Sequence, residues 1–200
     1  MNKQQLAAKI WESANQMRSK IEANEYKDYI LGFIFYKYLS EQEEKWLHSK
    51  SYEAEDIQKY VNENAPDIYS GKSILQQNLG YFISYENLFS TWIQKGVDFS
   101  IDDVSVALSA FNRLISPTHK KVFEGIFQTL EVGLSKLGEN AKMQSKAASD
   151  LIHLIDEIPM SGRQDYDVLG FIYEYLLEKF ASNAGKKAGE FYTPHEVSLL

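Results

Sequence analysis

The chain has no cysteine in 200 residues, which excludes disulfides and thiolate metal sites and removes any pointer to an oxidising compartment. No signal peptide is expected, because Met1-Asn2-Lys3-Gln4-Gln5 opens a mixed polar pattern without the apolar stretch of one. The chain also lacks a membrane-length run. The densest apolar segment, Tyr29 to Leu39, contains Gly32 and Lys37 and falls well short of the roughly 20 residues a spanning helix needs. The expected location is therefore cytoplasmic. Positive charge is scarce as well. A net charge of -7 disfavours a freestanding nucleic-acid binder, because binding to DNA draws on Lys and Arg to neutralise phosphates. Alternation at period two is missing too, so strands are at most minor, and no fixed-period repeat or low-complexity tract occurs.

What is present is enough apolar content, 44%, to bury a sizeable core, arranged mostly at three- and four-residue spacing. Leu6, Ile10, Ala14, Met17 and Ile21 line one face of an amphipathic helix. From about Glu25 to Leu47, the residues Tyr26, Ile30, Phe33, Ile34, Tyr38 and Leu39 cover more than half the circumference. That pattern predicts a central helix with neighbours on several sides, and core packing is the favoured role of its Tyr and Phe residues over base stacking. A short helix is expected at Ala54 to Glu63, stopping near Pro66. Two short helices, or a helix and a turn, are expected between Ile74 and Ile93.

Ser100 followed by Asp103 matches a capping box and predicts a helix from Ile101 to about Ile115, stopped at Ser116-Pro117. Further helices are expected over Lys120 to Leu137, Ala147 to Ile158 and Asp165 to Phe180. The fold class is all-α, a multi-helix bundle. Several apparent motifs carry no chemistry. Gly71-Lys72-Ser73 looks like the end of a phosphate-binding loop, but Pro66 stands where that motif needs its first glycine. The four histidines, His48, His119, His153 and His195, show no paired ligand spacing. Asp102-Asp103 fits helix capping better than acid-base catalysis.

The C-terminal stretch is more specific. After the helix at Asp165 to Phe180 comes the small, locally basic loop ASNAGKKAG, then Glu190-Phe191-Tyr192-Thr193-Pro194-His195-Glu196. Thr193 is a good N-cap, Pro194 suits the first helical position, and Glu196 stands three residues after the cap. A helix that begins at Thr193 exposes backbone N–H groups that favour an anionic group on a ligand.

Several short motifs in order give the chain a family resemblance. Asp167-Val168-Leu169-Gly170, Tyr173-Glu174-Tyr175-Leu176-Leu177 and Gly189 through Pro194 are similar to the entry into the catalytic domain of the modification subunit of type I restriction-modification systems. Ile10-Trp11, Arg18 and the Tyr29 to Tyr36 helix resemble the opening of that family's N-terminal helical domain. The stretch from Ser49 to Ser145 carries helical character only.

The resemblance implies a DNA methyltransferase that moves a methyl group from S-adenosyl-L-methionine to adenine N6. It implies that Glu190, Phe191, Tyr192, Thr193 and Pro194, with His195 at a position that varies, contribute to the cofactor pocket. The implied partners are a specificity subunit that chooses the DNA sequence, a second modification subunit, a restriction subunit and double-stranded DNA. Residues 1–160 would be a helical interaction domain, and residues 161–200 the connecting helix and the start of the methyltransferase domain. Such an enzyme should carry a glycine-rich cofactor loop and an (Asn/Asp)-Pro-Pro-aromatic motif, and neither occurs within these 200 residues. The expectation is a fragment of a longer subunit, with its α/β catalytic domain truncated away and no activity alone. The competing reading is a non-catalytic all-α adaptor, against which the aromatic pair before Thr193 argues.

Overall fold

Leu6, Ile10 and Ala14 bury the face the spacing assigns to them, on a first helix, α1, that runs Lys3–Met17. The computed structural model of the chain describes residues 1–17, 23–160 and 167–184. Ile21 of the expected first helix, Lys186 and Lys187 lie outside the described residues, as do the cofactor-pocket candidates Glu190, Phe191, Tyr192, Thr193, Pro194 and His195.

The second helix, α2, spans Ala23–Ser49 and is the axis of the fold. Tyr29, Ile30, Phe33, Ile34, Tyr36 and Leu39 are all buried, on several sides of the helix, so it needs neighbours all round. It has them: α1, α6 (Phe89–Lys95), α9 (Gln128–Gly133), α10 (Ala141–Asp156) and α11 (Val168–Ala184) all pack against it. Tyr36 stacks on Trp92 of α6 with ring centroids 4.7 Å apart, and its edge meets Phe127 at 5.4 Å. Such pairs add about 0.5–1.5 kcal/mol each beyond area burial. The aromatic stripe is core, as its spacing predicts.

Between α2 and α6 the chain forms α3 (Ala54–Tyr60), α4 (Asp67–Ser70) and α5 (Lys72–Asn78). The expected helix at Ala54 to Glu63 is real but ends at Tyr60, and α4, which follows Pro66, has no periodic signature to announce it. Gly71 takes a left-handed conformation, φ 65°, which lets the chain turn from α4 into α5. The Asp67 carboxylate accepts the Ser73 N–H at 2.8 Å. Gly71-Lys72-Ser73 is thus a helix junction.

The helix α7 runs Ile101–Arg113 behind the expected capping box, with the Ser100 side chain and Asp103 each accepting from the other's backbone. Ser100→Ala removes one of those bonds, and the denaturation midpoint should fall by the equivalent of about 1 kcal/mol. The single helix expected over Lys120 to Leu137 is instead broken into α8 (Lys120–Phe123), α9 and a 3-10 turn at Leu134–Leu137. The break lies where Glu124 is extended, ψ 125°, and Gly125 sits at φ 76°, two conformations no α-helix accommodates. The helix expected from Ala147 starts earlier, at Ala141, because the Asn140 side chain caps it by accepting the Met143 N–H at 2.9 Å. No strand occurs among the described residues. The all-α bundle read from the sequence is the fold.

Candidate functional site

One face of α2 turns polar after Tyr36, and that face organises an irregular segment of the chain. Tyr36, Ser40, Glu43 and Glu44 follow one another at helical spacing, and each reaches the Tyr81–Ser90 stretch. The Tyr36 hydroxyl donates to the Asn87 carbonyl at 2.7 Å, and Ser40 Oγ accepts the Phe89 N–H at 2.8 Å, satisfying the first free donor of α6. Glu43 Oε1 accepts the Ile83 N–H at 2.7 Å, and Ser90 Oγ donates to Glu44 Oε1 at 2.6 Å. From the other side, the Tyr81 hydroxyl donates back to the Leu39 carbonyl at 2.7 Å. Backbone groups that no secondary structure pairs are satisfied by α2 side chains.

Glu43 is fully buried, and burial pushes its carboxyl well above the ordinary carboxylate range, with the nearby Glu44 adding to the effect and the Ile83 N–H opposing it. Its Oε2 has no protein partner. Glu43 is a buried acid that anchors a loop, and its enclosure favours the protonated form. Lys37, 3% exposed, donates to the Ile158 carbonyl just beyond α10 and pairs with Glu41 at 3.2 Å, tying α2 to the end of α10.

Other candidates have local roles. His48 Nδ1 lies 2.8 Å from the Tyr52 carbonyl, His119 contacts Thr118 at 3.0 Å, and His153 lies 2.7 Å from the Ser149 carbonyl. No group of three or more His, Cys, Asp or Glu is placed to hold a metal among the described residues. A groove of about 310 Å³ opens beside α7 and the Gly125 turn, and Glu124 and Glu131 line it without any cation. That chemistry does not suit a phosphate or carboxylate ligand. No helix among the described residues is long and apolar enough to cross a membrane.

The helix that leads toward Glu190 is built onto the bundle. Val168, Ile172 and Leu176 of α11 are buried in the same core as α1 and α2, while Lys3 Nζ stands 5.7 Å over the Phe171 ring. Asp167-Val168-Leu169-Gly170 now has a physical reading. Phe171 N–H bonds the Asp167 carbonyl at 3.0 Å, and a Cβ on Gly170 would collide with the Asp167 carboxylate. Gly170 leaves room for an acid folded over the first turn of α11.

The family described as HsdM N-terminal domain matches residues 6–158. The chain belongs to that family. A second family, described as N-6 DNA Methylase, matches residues 164–200, so the two meet in order on one chain. Among relatives, the type I restriction enzyme MpnII methylase subunit of Mycoplasma pneumoniae is 28% identical over 96% of this chain and 38% of its own length. The MjaIX methylase subunit of Methanocaldococcus jannaschii is 27% identical over 96% of this chain and 33% of its own length. The crystal structure of a type I restriction-modification methyltransferase subunit from Streptococcus thermophilus superposes with a TM-score of 0.76 at 29% identity, over 96% of this chain and 42% of that one. This member of the HsdM N-terminal domain family therefore spans between a third and about two fifths of the length of these three relatives.

The sequence reading missed Ser40, Glu43 and Lys37 as buried polar anchors. A signal existed: Tyr36, Ser40, Glu43 and Leu47 recur at spacings of four, three and four, so the polar pair continues an apolar stripe and shares its burial.

Proposed function

We propose that the chain is the N-terminal part of a type I restriction-modification methyltransferase subunit, which in full length transfers a methyl group from S-adenosyl-L-methionine to adenine N6 in DNA. The observation that carries this reading is the junction on one chain of the HsdM N-terminal domain, residues 6–158, and the N-6 DNA Methylase family, residues 164–200. Residues 1–160 are the helical interaction domain, and residues 161–200 are the connecting helix and the start of the methyltransferase domain. The partners are a specificity subunit, a second modification subunit, a restriction subunit and double-stranded DNA, in the cytoplasm. An acidic chain with a net charge of -7 suits a subunit that leaves sequence reading to a partner.

Bound S-adenosyl-L-methionine supplies the methyl group. Glu190, Phe191, Tyr192, Thr193, Pro194 and His195 contribute to its pocket, with the aromatic pair shaping the walls and the Thr193 hydroxyl facing the methionine carboxylate. Two of the terms are chemically apt: a hydroxyl donor and the free N–H groups of a helix start both favour a carboxylate. In the full-length subunit, Thr193→Ala should weaken cofactor binding about tenfold, the ~1.4 kcal/mol of one lost hydrogen bond to a charged group. Calorimetric titration with the cofactor measures this, and an unchanged dissociation constant removes Thr193 from the pocket. The fragment of residues 1–200 should transfer no methyl group to duplex DNA. Deletion of residues 1–160 from the full-length subunit should abolish assembly with the specificity subunit, and intact assembly would refute the interaction role.

A further inference from the structure

Among the described residues nine large apolar side chains are exposed, and three of them fall in one seven-residue stretch. Ile68 is 82% exposed, Tyr69 53% and Ile74 53%. They sit on α4 and α5, two short helices joined at Gly71. The Asp67 carboxylate holds the Ser73 N–H at 2.8 Å, so the residues directly preceding Ile68 and Ile74 are in contact, and the two isoleucines belong to one corner of the fold. Tyr69 is held in place as well. Its carbonyl accepts the Tyr52 hydroxyl at 2.7 Å, and its ring stacks on Tyr60 of α3 with centroids 5.7 Å apart. An apolar group fixed before binding loses little rotamer freedom on contact, which is the property of an interface anchor. Clustered exposed apolar groups of this kind mark interaction sites.

The charge around this corner selects the partner. Residues 53–72 carry five acids, Glu53, Glu55, Asp56, Glu63 and Asp67, against two bases, Lys59 and Lys72. A tenth of the chain thus holds three of its seven net negative charges. Lys72 Nζ donates to the Glu63 carbonyl at 3.3 Å, and the exposed Lys59 has its Nζ 4.9 Å over the Tyr60 ring. Arg113 from α7 pairs with Glu63, which leaves Glu53, Glu55 and Asp67 as the exposed acids here without a basic side-chain partner among the described residues. A duplex backbone would be repelled here, while Lys and Arg side chains flanking an apolar anchor would be drawn in.

We infer that the α3–α5 corner, centred on Ile68 and Tyr69 and rimmed by Glu53, Glu55 and Asp67, is a protein-docking surface for a Lys/Arg-bearing partner, and faces away from DNA. Within the assembly proposed above, on which this inference rests, the occupant is the specificity subunit, because reading DNA requires a subunit that carries Lys and Arg.

The test uses the full-length modification subunit and its separately purified specificity subunit, with binding measured by calorimetry at two salt concentrations. Ile68→Ser and Glu55→Lys alter only exposed side chains outside the caps and the core, and circular dichroism of each variant checks that the fold is retained. Each should weaken binding about tenfold, and the wild-type affinity should fall as salt rises. Duplex DNA titrated onto the modification subunit alone should bind the Ile68→Ser variant and the wild type equally. If the wild type binds the specificity subunit and both variants bind it as well, the docking surface is wrong while the proposed function stands. If Ile68→Ser weakens binding of duplex DNA instead, the face is a DNA contact and the inference is overturned. If the wild-type subunit does not bind the specificity subunit at all, both readings fail together.

Discussion

Gly133→Ala should be the most damaging single-methyl substitution in the bundle, lowering the stability of the chain by about 3 kcal/mol. A Cβ at Gly133 would fall inside the Tyr29 ring, against Cε1, Cζ and the hydroxyl. Tyr29 is 2% exposed and sits on α2, so the ring has no solvent to retreat into. The same crossing of α2 and α9 carries a second glycine facing the opposite way, Gly32, where an added Cβ would stand 3.0 Å from Leu130 Cδ2. Each helix thus gives up a side chain where the other presents a large one. The two helices approach closely because of it, which a packed interior rewards. Urea denaturation reads the loss as a lower midpoint with an unchanged slope. The companion variant Tyr29→Leu should cost stability alone yet restore most of what Gly133→Ala removes, since it takes away the atoms in collision. If the two changes simply add, the collision is not what Gly133 prevents.

The helices legible in the sequence are those whose burial follows a single period. α2, α7 and α11 each carry a continuous apolar stripe, and Ser100 with Asp103 marks the beginning of α7 to the residue. The segment from Lys120 to Leu137 misled because its apolar residues do keep helical spacing across the break. Phe123 before the break is partly buried against the core, Phe127, Leu130, Leu134 and Leu137 after it are buried, and only the backbone at Glu124 and Gly125 interrupts the path. A single glycine inside a periodic run is tolerated often enough that it does not announce a turn. α10 was shortened at its start for a related reason. Ala141 to Lys146 contributes no fully buried side chain, so this first turn and a half rests on the Asn140 cap and on Ser145, whose hydroxyl accepts the Ile101 N–H at 2.8 Å.

The candidate site divides the same way. The family motifs around Asp167 and Gly170 are explained by local geometry, because Gly170 clears space for the Asp167 carboxylate. Polar anchors such as Glu43 are easily passed over even though they continue the Tyr36–Leu47 stripe, because a charged residue on a helix ordinarily marks the solvent face. Tertiary contact adds that the face of α2 carrying Ser40 and Glu43 meets a loop whose backbone N–H groups need acceptors. The docking corner at Ile68 was hidden for the converse reason: isolated apolar residues in a polar stretch look like the buried side of a short helix, and it takes the fold to show them facing water.

Glu43 leads to a pH dependence of unusual sign. Most acids of folded proteins are stabilised in their charged form, so acid destabilises the fold. Here the folded state favours the proton: burial raises the Glu43 carboxyl well above its ordinary value of 4.5, and burial raises Glu41 and Glu44 on the same helix as well. The native state then binds more protons than the unfolded chain between the ordinary value and the raised one, and stability falls as pH rises through that window. Each unit by which the folded value exceeds the unfolded one removes about 1.4 kcal/mol at high pH. Glu63 and Asp67 act oppositely, their carboxyls lowered by Arg113 and by the Ser73 N–H, but both are near the surface, where such interactions are weak. Glu43→Gln keeps the acceptor that Ile83 N–H needs and cannot ionise. Thermal denaturation from pH 5 to pH 9 should show the variant equal to or slightly below the wild type at pH 5, where an unpartnered amide N–H replaces Oε2, and more stable at pH 9. Glu43→Ala, which removes the acceptor and leaves a cavity, should be less stable than Glu43→Gln throughout. Parallel wild-type and Glu43→Gln profiles would mean that Glu43 is ionised inside the fold, and its bond to Ile83 would then hold a charge.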